Sequence, residues 1–587
     1  MAARTEPRAL GALPEWNLDD LYPGPGSERL SADFAEAERA AAAFDARYKG
    51  RIGGLSGEAL GEAVAEYERI EEILGRILSF ASLYYATRLE DAEAGRFHQN
   101  AQERANAIST HLLCLTLEIN RIEEGALESK LKAAKLSRYA PWLRDVRTFR
   151  PHQLSDELEK ILHEKEVAGR AAWTRLFDET VAAQRFTVGA RTLTSAEALD
   201  LLSNKDRAVR KEAAEAVAQV FAGQSRLFAL ITNTLAKDKE IEDRWRQFPR
   251  PISARNLANH VEDEVVDALI AAVTAAYPRL SHRYYALKAD WMGLKTLEYW
   301  DRNAPLPEDA DRSYRWEEAR ALVLAAYGRF AGEMAELARR FFDNPWIDAR
   351  VVPGKAPGAF AHPTVPSAHP YVLLNYLGKA RDVMTLAHEL GHGVHQILAA
   401  PQGALMAETP LTLAETASVF GEQLTFRAML DAESDRSRRR VLLASKIEDM
   451  LNTVVRQVAF CEFERSVHEE RRAGELTPAR LGDLWLAIQR QSLGPAFNFA
   501  NGYEHYWSYI PHFVHSPFYV YAYAFGDCLV NALYAAYQEA EAGFTEKYFA
   551  MLGAGGTKRH RELLAPFGLD ASDPAFWDRG LSVIAGF

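Results

Sequence analysis

Residues 385–395 read Thr-Leu-Ala-His-Glu-Leu-Gly-His-Gly-Val-His, and no proline interrupts them. Apolar residues recur around them at helical spacing, at Val383, Met384, Leu386, Val394, Ile397 and Leu398, and this period predicts a helix. On that helix His388 and His392 are i and i+4, so they share one face about one turn apart. Two imidazoles placed in this way can bind one zinc ion at roughly 2.0–2.1 Å each.

Glu389 follows the first histidine directly and points to the side of the shared face, where it can meet a metal-bound water. Two histidine ligands with a neighbouring glutamate base are typical of zinc metalloproteases. The alternative is an amphipathic helix with two surface histidines. With 16 histidines in 587 residues, the pattern should arise by chance in only about a few per cent of such chains. The sequence therefore favours a zinc site.

A zinc hydrolase keeps three protein ligands and leaves one position for water. A third histidine at a fixed short distance is excluded, because Leu398 stands six residues after the second one. Glu415 lies downstream in a predicted helix over residues 411–422, among small and apolar residues, where a carboxylate is costly unless it meets a cation. We predict Glu415 as the third ligand. Glu408 is the alternative, but the nearby Pro410 suggests a loop.

Glu422 lies two turns beyond Glu415 on the same helical face. From there it could hydrogen-bond the outer nitrogen of a ligand histidine, as carboxylates near zinc sites often do. The alternative is a solvated glutamate on the helix surface. Both interpretations are open at the level of sequence.

Composition restricts the class of protein. Apolar residues make up 48% and charged residues 26% of the chain, as in ordinary globular proteins. The net charge of −12 argues against a nucleic acid or an anionic membrane as the main partner. The three cysteines, Cys114, Cys461 and Cys528, are far apart, which suits a reducing compartment. With no signal-peptide pattern and no apolar run of about 18 residues, the expected location is the cytoplasm.

The chain reads as mainly α-helical. We expect an N-terminal arm over residues 1–27, anchored by Trp16 and Tyr22, then an N-terminal helical region over 28–205 and a catalytic region over 206–587. A small hairpin around Gly189 is the first interruption. Helices resume there at a capped start, Ser195.

Two short β-prone runs precede the metal helix, over residues 353–360 and 371–376. They predict a small β-sheet beside that helix. A free strand edge there could pair with the backbone of an extended peptide. A purely structural hairpin is the equal alternative.

Residues 494–526 are rich in tyrosine, histidine, glycine and proline, a composition suited to a loop that lines a cleft. Tyr519 and Tyr523 are i and i+4, so they would face the same way on a helix that starts after Pro517. A peptide hydrolase needs donors aimed at the oxyanion of the tetrahedral intermediate, and tyrosine hydroxyls can serve. Each of these tyrosines could instead be a packed core aromatic.

Taken together, these motifs resemble the oligoendopeptidase F group of the M3 (thimet oligopeptidase-like) zinc peptidases. The resemblance runs over nearly the whole chain and is found at Trp16-Asn-Leu-Asp-Asp-Leu-Tyr22, Tyr284-Tyr-Ala-Leu-Lys288, Asp301, Gly354-Lys, Gly358-Ala-Phe360, His-Glu-x-Gly-His, Glu415-Thr-Ala-Ser and Phe518-Tyr-Val-Tyr-Ala-Tyr523. It implies one zinc ion per chain on His388, His392 and Glu415, with Glu389 as general base. It also implies a large helical body with a deep substrate groove.

The resemblance further implies a His and Tyr pair that stabilises the transition state, assigned here to His512 and Tyr523. The spacing is one residue shorter than in the thimet oligopeptidase pattern, so Tyr519 or Tyr521 could hold the tyrosine role. Predicted substrate contacts on the same basis are Gly358, Ala359, Phe360, His515 and Tyr521.

The resulting hypothesis is a zinc-dependent endopeptidase that cleaves short peptides. A dipeptidyl carboxypeptidase of the same family is the alternative within the enzyme class, because the motifs are shared. A catalytically silent peptide-binding protein is the alternative outside it. Glu389 and three intact ligands argue against a silent protein, which need not retain a base.

Overall fold

The structure is a computed structural model that describes residues 10–166, 168–306, 312–356, 358–539 and 542–587. It is 70% helical with only small sheets, which confirms the mainly-α prediction. The helices of the first half are α1 Glu28–Tyr48, α2 Gly57–Ala86, α3 Ala92–Thr110, α4 Leu113–Arg121, α5 Glu124–Lys130, α6 Ala134–Ser137, α7 Ala140–Arg147, α8 Asp156–Glu166, α9 Arg170–Ala183, α10 Ser195–Asp200, α11 Arg207–Trp245, α12 Ser253–Ala258, α13 Asp263–Ala276 and α14 Ser281–Trp291. Those of the second half are α15 Trp316–Phe330, α16 Gly332–Asp343, α17 Ala380–Ala399, α18 Leu411–Ala414, α19 Thr416–Ala432, α20 Arg436–Thr453, α21 Val455–Ala473, α22 Pro478–Leu493, α23 His512–His515, α24 Tyr521–Glu539, α25 Phe544–Leu552, α26 His560–Leu564 and α27 Pro574–Ala585.

The strands are short, and they are β1 Phe186–Val188, β2 Arg191–Leu193, β3 Leu297–Glu298, β4 Ile347–Asp348, β5 Phe360–His362, β6 Tyr371–Leu373 and β7 Phe497–Asn498. Strands β1 and β2 form the predicted hairpin, with Gly189 in the left-handed region at φ 60°. Strand β3 pairs in parallel with β7. The third sheet has the order β4-β6-β5, parallel between β4 and β6 and antiparallel between β6 and β5.

Helix α2 illustrates how the sequence fixes these elements. Ser56 caps it by accepting a hydrogen bond from the backbone N–H of Ala59 at 3.2 Å, which satisfies one of the free donors of the first turn. The three-and-four spacing of Val64, Tyr67, Ile70, Leu74, Ile77 and Leu78 predicts a buried stripe on this helix, and four of these six residues are buried, Val64, Ile70, Leu74 and Ile77. Helix α10 begins at Ser195 as predicted, with Thr194 and Glu197 forming a capping box.

The described part of the N-terminal arm is anchored by the two predicted aromatic residues. Trp16 packs edge-on against Tyr371, with ring centroids 5.9 Å apart. Tyr22 is fully buried and donates a hydrogen bond from its hydroxyl to Asp33 at 2.6 Å. Residues 1–9 of the predicted arm lie outside the described residues.

The chain divides into two compact units that alternate along the sequence. The first comprises residues 1–150, 311–432 and 536–568, and the second comprises 151–310, 433–535 and 569–587. The domain boundary expected near residue 205 stays a prediction, as does the groove implied by the resemblance. Within the described residues, each helix is too short or too polar to traverse a lipid bilayer.

Candidate metal centre

Helix α17 carries the His-Glu-x-x-His motif and packs against α19 in the first unit. Gly391 permits the close approach of the two helices. A Cβ atom there would lie 2.4 Å from the carbonyl oxygen of Ala417 and 2.6 Å from the Cα atom of Ser418, so any side chain would force the backbones apart. Because this contact lies two to three residues after Glu415, it brings the glutamate next to the two histidines.

The three predicted ligands meet at one point. The Nε2 atoms of His388 and His392 each lie 3.4 Å from the Glu415 Oε2 atom, and one ligand atom from each of the three residues lies within 4.8 Å of the others. A tetrahedral zinc ion with bonds of roughly 2.0–2.1 Å separates its ligand atoms by about 3.3–3.4 Å. Two imidazoles and a carboxylate at this spacing therefore fit zinc in both chemistry and distance.

Contacts around the ligands fix their orientation. The His388 Nδ1 atom lies 3.3 Å from the Glu422 Oε2 atom, the contact that the sequence suggested for Glu422. Ser418 donates a hydrogen bond from its hydroxyl to Glu415 Oε2 at 2.6 Å. Glu415 itself occupies the junction between α18 and α19, rather than the middle of one continuous helix as predicted. These partners hold one ring and one carboxylate toward the same point.

The electrostatics of the cluster follow from burial and mutual charge. Burial lowers the pKa of His388, but Glu422 and Glu415 outweigh it and raise that pKa to about 9. Burial lowers the pKa of His392. Burial would raise the pKa of Glu415, but the two histidines outweigh it and lower that pKa. The site thus has a carboxylate charge that a cation can neutralise.

Glu389 is 6% exposed and lies beside the cluster rather than in it. Burial raises the pKa of its carboxyl to about 7, while the charge of His388 and the backbone N–H of Ala361 oppose that rise. Ala361 lies in β5, at the edge of its sheet, and its carbonyl accepts a hydrogen bond from Gln396 of α17 at 3.3 Å. A small sheet beside the metal helix is therefore present, but its strands do not follow both predicted runs: β6 begins at Tyr371 as expected, whereas β5 covers Phe360–His362 and shares only Phe360 with the run over residues 353–360. On this edge of the sheet, the Ala361 carbonyl already accepts the hydrogen bond from Gln396 of α17. Pairing of a peptide backbone along this edge stays a prediction.

The alternative third ligand, Glu408, is exposed in the loop between α17 and α18. It does not belong to the metal-binding group found among the described residues. Its position agrees with the loop that Pro410 suggested.

The tyrosine-rich stretch lies in the second unit, and two of its predicted residues contact each other. The Tyr523 hydroxyl is 3.4 Å from His512 Nε2. The rings of Tyr519 and Tyr523 are 5.2 Å apart, but α24 begins only at Tyr521, so Tyr519 precedes the helix that was expected to start after Pro517. Both tyrosines and His512 are half-buried. Their role in catalysis stays a prediction.

The predicted substrate contacts have different environments. In the first unit, Gly358 has φ 82° and its carbonyl accepts a hydrogen bond from Asn375 at 3.0 Å; Ala359 and Phe360 follow it and are half-buried. In the second unit, His515 is exposed and bonded to Asp178 at 2.7 Å.

Tyr521 requires a correction. It is fully buried, and its hydroxyl accepts a hydrogen bond from Asn259 Nδ2 at 2.9 Å. Its ring is therefore part of the core and is not presented to a substrate.

Sequence reasoning missed three contributors to the metal centre. Gly391 and Ser418 stand inside the quoted motifs, but no role was predicted for either. Tyr327 donates a hydrogen bond to the carbonyl of Ala387, one residue before the first ligand. Gly391 could have been identified from the sequence, because small residues occur where two helices that carry facing ligands must approach each other. Nothing in the local sequence marks Tyr327.

Comparisons with known proteins agree with this architecture. The sequence matches the family model described as Peptidase family M3 over residues 200–583 and the one described as Oligopeptidase F over residues 118–186. Oligopeptidase PepF of Bacillus subtilis (strain 168) is 27% identical over 572 residues, covering 95% of this chain and 84% of that protein. Group B oligopeptidase PepB of Streptococcus agalactiae is 26% identical over 545 residues, 90% of each chain.

Among solved structures, oligoendopeptidase-F from Enterococcus faecium has a similar fold. Its TM-score is 0.70 at 22% identity, over 95% of each chain. The likeness in fold thus extends over nearly the whole molecule. The longer of the two family matches includes the helices that carry the three ligand candidates.

Proposed function

Because the chain belongs to peptidase family M3, it is a peptidase, and we propose that it is a zinc-dependent endopeptidase that hydrolyses internal bonds of short peptides. The observation that supports the metal is the equal 3.4 Å separation of Glu415 Oε2 from the Nε2 atoms of His388 and His392. The preference for short peptides rests on the relatives, two of which are named oligopeptidases.

We propose that His388, His392 and Glu415 hold one zinc ion per chain. A zinc ion bound there supplies a Lewis acid that polarises the scissile carbonyl and lowers the pKa of water toward about 7. Glu422 accepts a hydrogen bond from His388 Nδ1 and so keeps Nε2 of that ring unprotonated for the metal. With no cation at the site, the neighbouring glutamates raise the pKa of His388 to about 9, so a zinc ion held there at neutral pH would take the place of a proton on this ring.

Glu389 is the proposed general base. A pKa near 7 places it in the range where a carboxylate both accepts and returns a proton efficiently at neutral pH. It takes the proton of the attacking water and then donates that proton to the amine of the departing peptide fragment. The backbone N–H of Ala361 holds the carboxylate in one orientation beside the ligands.

The remaining assignments concern the peptide and the oxyanion. We propose that residues Gly358, Ala359 and Phe360, which lead into β5, contact the backbone of an extended peptide. His512 and Tyr523, which contact each other, are proposed to donate hydrogen bonds to the oxyanion of the tetrahedral intermediate.

The decisive variant is Glu389→Gln, assayed with an internally quenched peptide. It should retain zinc and lose activity by at least about 10²–10⁴-fold, the usual contribution of a general base. Glu408→Gln is the matched control, because this glutamate is exposed in a nearby loop and its replacement should leave turnover unchanged. Zinc-replete Glu389→Gln with normal turnover would contradict the proposal.

Product analysis separates the two enzyme classes. Mass spectrometry of the fragments from one mid-length peptide should show internal cleavage for an endopeptidase. Successive loss of C-terminal dipeptides would instead indicate a dipeptidyl carboxypeptidase. Binding without any cleavage by zinc-loaded protein would indicate a silent peptide-binding protein.

A further inference from the structure

A small polar cavity lies inside the second unit. Its volume is about 110 Å³, well above the ~10–15 Å³ that one water requires. The walls contain two guanidinium groups, Arg302 and Arg456, two indoles, Trp300 and Trp485, and four tyrosines. None of the described residues that line the cavity is acidic.

The two arginines contact only neutral groups among the described residues. Arg456 donates from Nη2 to the Tyr509 hydroxyl at 3.1 Å, and Arg302 donates from Nε to Asn303 Oδ1 at 3.4 Å. The carboxylate next in sequence, Asp301, points elsewhere and receives hydrogen bonds from Arg207 and Arg210. Partly buried charges are costly unless they are compensated, and the lining itself offers the two guanidiniums no carboxylate.

Not every donor of the lining residues faces the cavity. The Nε atom of Arg456 and the Nε1 atoms of Trp300 and Trp485 have no hydrogen-bond partner within the described structure, but they are inaccessible to a water-sized group and therefore face packed protein. The charged donors that a molecule in the cavity can reach are thus the remaining N–H groups of Arg302 and Arg456, which line it. Guanidinium groups can donate but not accept, so a molecule bound there must be an acceptor, and the charges favour a negative one.

The positive charge of the cavity shifts the pKa values of neighbouring groups. Burial raises the pKa of Tyr503, while Arg302 and Arg456 both oppose that rise. Burial lowers the pKa of Arg456, and the charge of Arg302 lowers it further. The two guanidiniums thus lie close enough to repel each other. Glu448 acts on Arg302 from nearby, but it is already bonded to Lys288.

We propose that this cavity binds a small oxyanion, phosphate or a carboxylate, between Arg302 and Arg456. The planar fork of a guanidinium matches the paired oxygens of both anions. Water alone would leave the two guanidiniums without an anion in the cavity.

Calorimetric titration of the full-length, zinc-loaded protein tests the site. Inorganic phosphate, acetate and chloride are titrated separately in a zwitterionic buffer at constant ionic strength. We expect one saturable site per chain for phosphate or acetate, with weaker binding of chloride. Arg302→Met and Arg456→Met should each weaken oxyanion binding by at least about tenfold, because hydrogen bonds between charged groups are among the strongest.

Two further variants make the result specific. Arg175→Met removes an exposed guanidinium of the same unit that is paired with Glu179 at 2.7 Å, and it should leave binding unchanged. Arg456→Lys keeps the positive charge but removes the planar fork, and it should weaken oxyanion binding measurably even if the methionine variants fold poorly.

Three outcomes would overturn the proposal. The first is the absence of saturable phosphate or acetate binding at about 10 mM, where even a site with Kd near 1 mM would be almost full. The second is chloride binding as tight as that of the oxyanions. The third is binding that persists unchanged in the cavity variants, because such a site would lie elsewhere, for example at zinc.

Discussion

Replacing Gly391 with alanine tests whether the close approach of α17 and α19 determines the metal centre. The added Cβ atom would lie 2.4 Å from the Ala417 carbonyl oxygen and 2.6 Å from the Ser418 Cα atom. Ordinary contacts begin near 3.4 Å, so the facing backbone must move by about 1 Å. Metal sites require ligand distances within about 0.2 Å. A backbone displacement of about 1 Å, two residues after Glu415, is several times larger than this tolerance in ligand distance.

Gly391→Ala has two opposing effects on the free energy of unfolding. Overpacking costs about 1–3 kcal/mol, whereas alanine is favoured over glycine inside a helix by about 1 kcal/mol. The net loss in the free energy of unfolding is therefore only about 0–2 kcal/mol. Zinc affinity is the sharper measure, and we expect Gly391→Ala to lower it by at least about tenfold, or ~1.4 kcal/mol.

Gly393→Ala is the matched control on the same helix. Its Cβ atom would lie 2.4 Å from the Phe341 ring, a side chain rather than the backbone that carries Glu415. This variant should lose stability to a similar extent and keep its zinc affinity. Both variants are measured by competition with a chromogenic zinc chelator and by urea denaturation of the metal-free protein. Equal zinc affinity in Gly391→Ala and the wild type would refute the reasoning.

Three other predictions address the ligands, the oxyanion and a buried acid. Glu415→Ala should lose zinc on dialysis, whereas Glu408→Ala should retain it. Metal analysis of the two dialysed variants measures this, and the reverse result would make Glu408 the ligand. Tyr523→Phe should lower kcat by about 10²–10³-fold with little change in KM, because a donor to the oxyanion acts only in the transition state. Tyr521→Phe is the control and should leave kcat unchanged. Burial raises the pKa of Glu464 from its usual 4.5 to about 8, so the folded chain holds a proton that the unfolded chain releases between these pH values. The free energy of unfolding should therefore fall as pH rises from about 4.5 to 8, and Glu464→Gln, compared by urea denaturation at both ends of this range, should flatten that fall.

Much of the fold could be predicted because it depends on local patterns. Helical spacing of apolar residues identified the buried stripe of α2, and the glycine at 189 identified the β1–β2 hairpin. The candidate ligands were also local, because a buried carboxylate among small residues, Glu415, needs a cation wherever the chain folds.

Features that depend on distant residues could not be predicted. Tyr521 and Tyr523 are two positions apart in one tyrosine-rich run, and only packing against the Asn259 region buries the first completely. Arg302 and Arg456 lie in no recognisable motif, and their lack of carboxylate partners is visible only once Asp301 is seen to bind other arginines. The break between α18 and α19 at Glu415 was likewise not predicted, because the local sequence reads as one continuous helix.

The alternation of the two units along the sequence has a consequence for synthesis on the ribosome. The unit with the metal helices also requires residues 536–568, and from this segment Tyr548 donates a hydrogen bond to the carbonyl of Thr416, next to Glu415, at 2.9 Å. Contacts between such distant segments form late, because a long loop must first close. All three ligand residues thus emerge well before the structure that fixes them is available. Zinc loading is therefore expected after translation of this last segment, and fragments that end before it should bind the metal weakly.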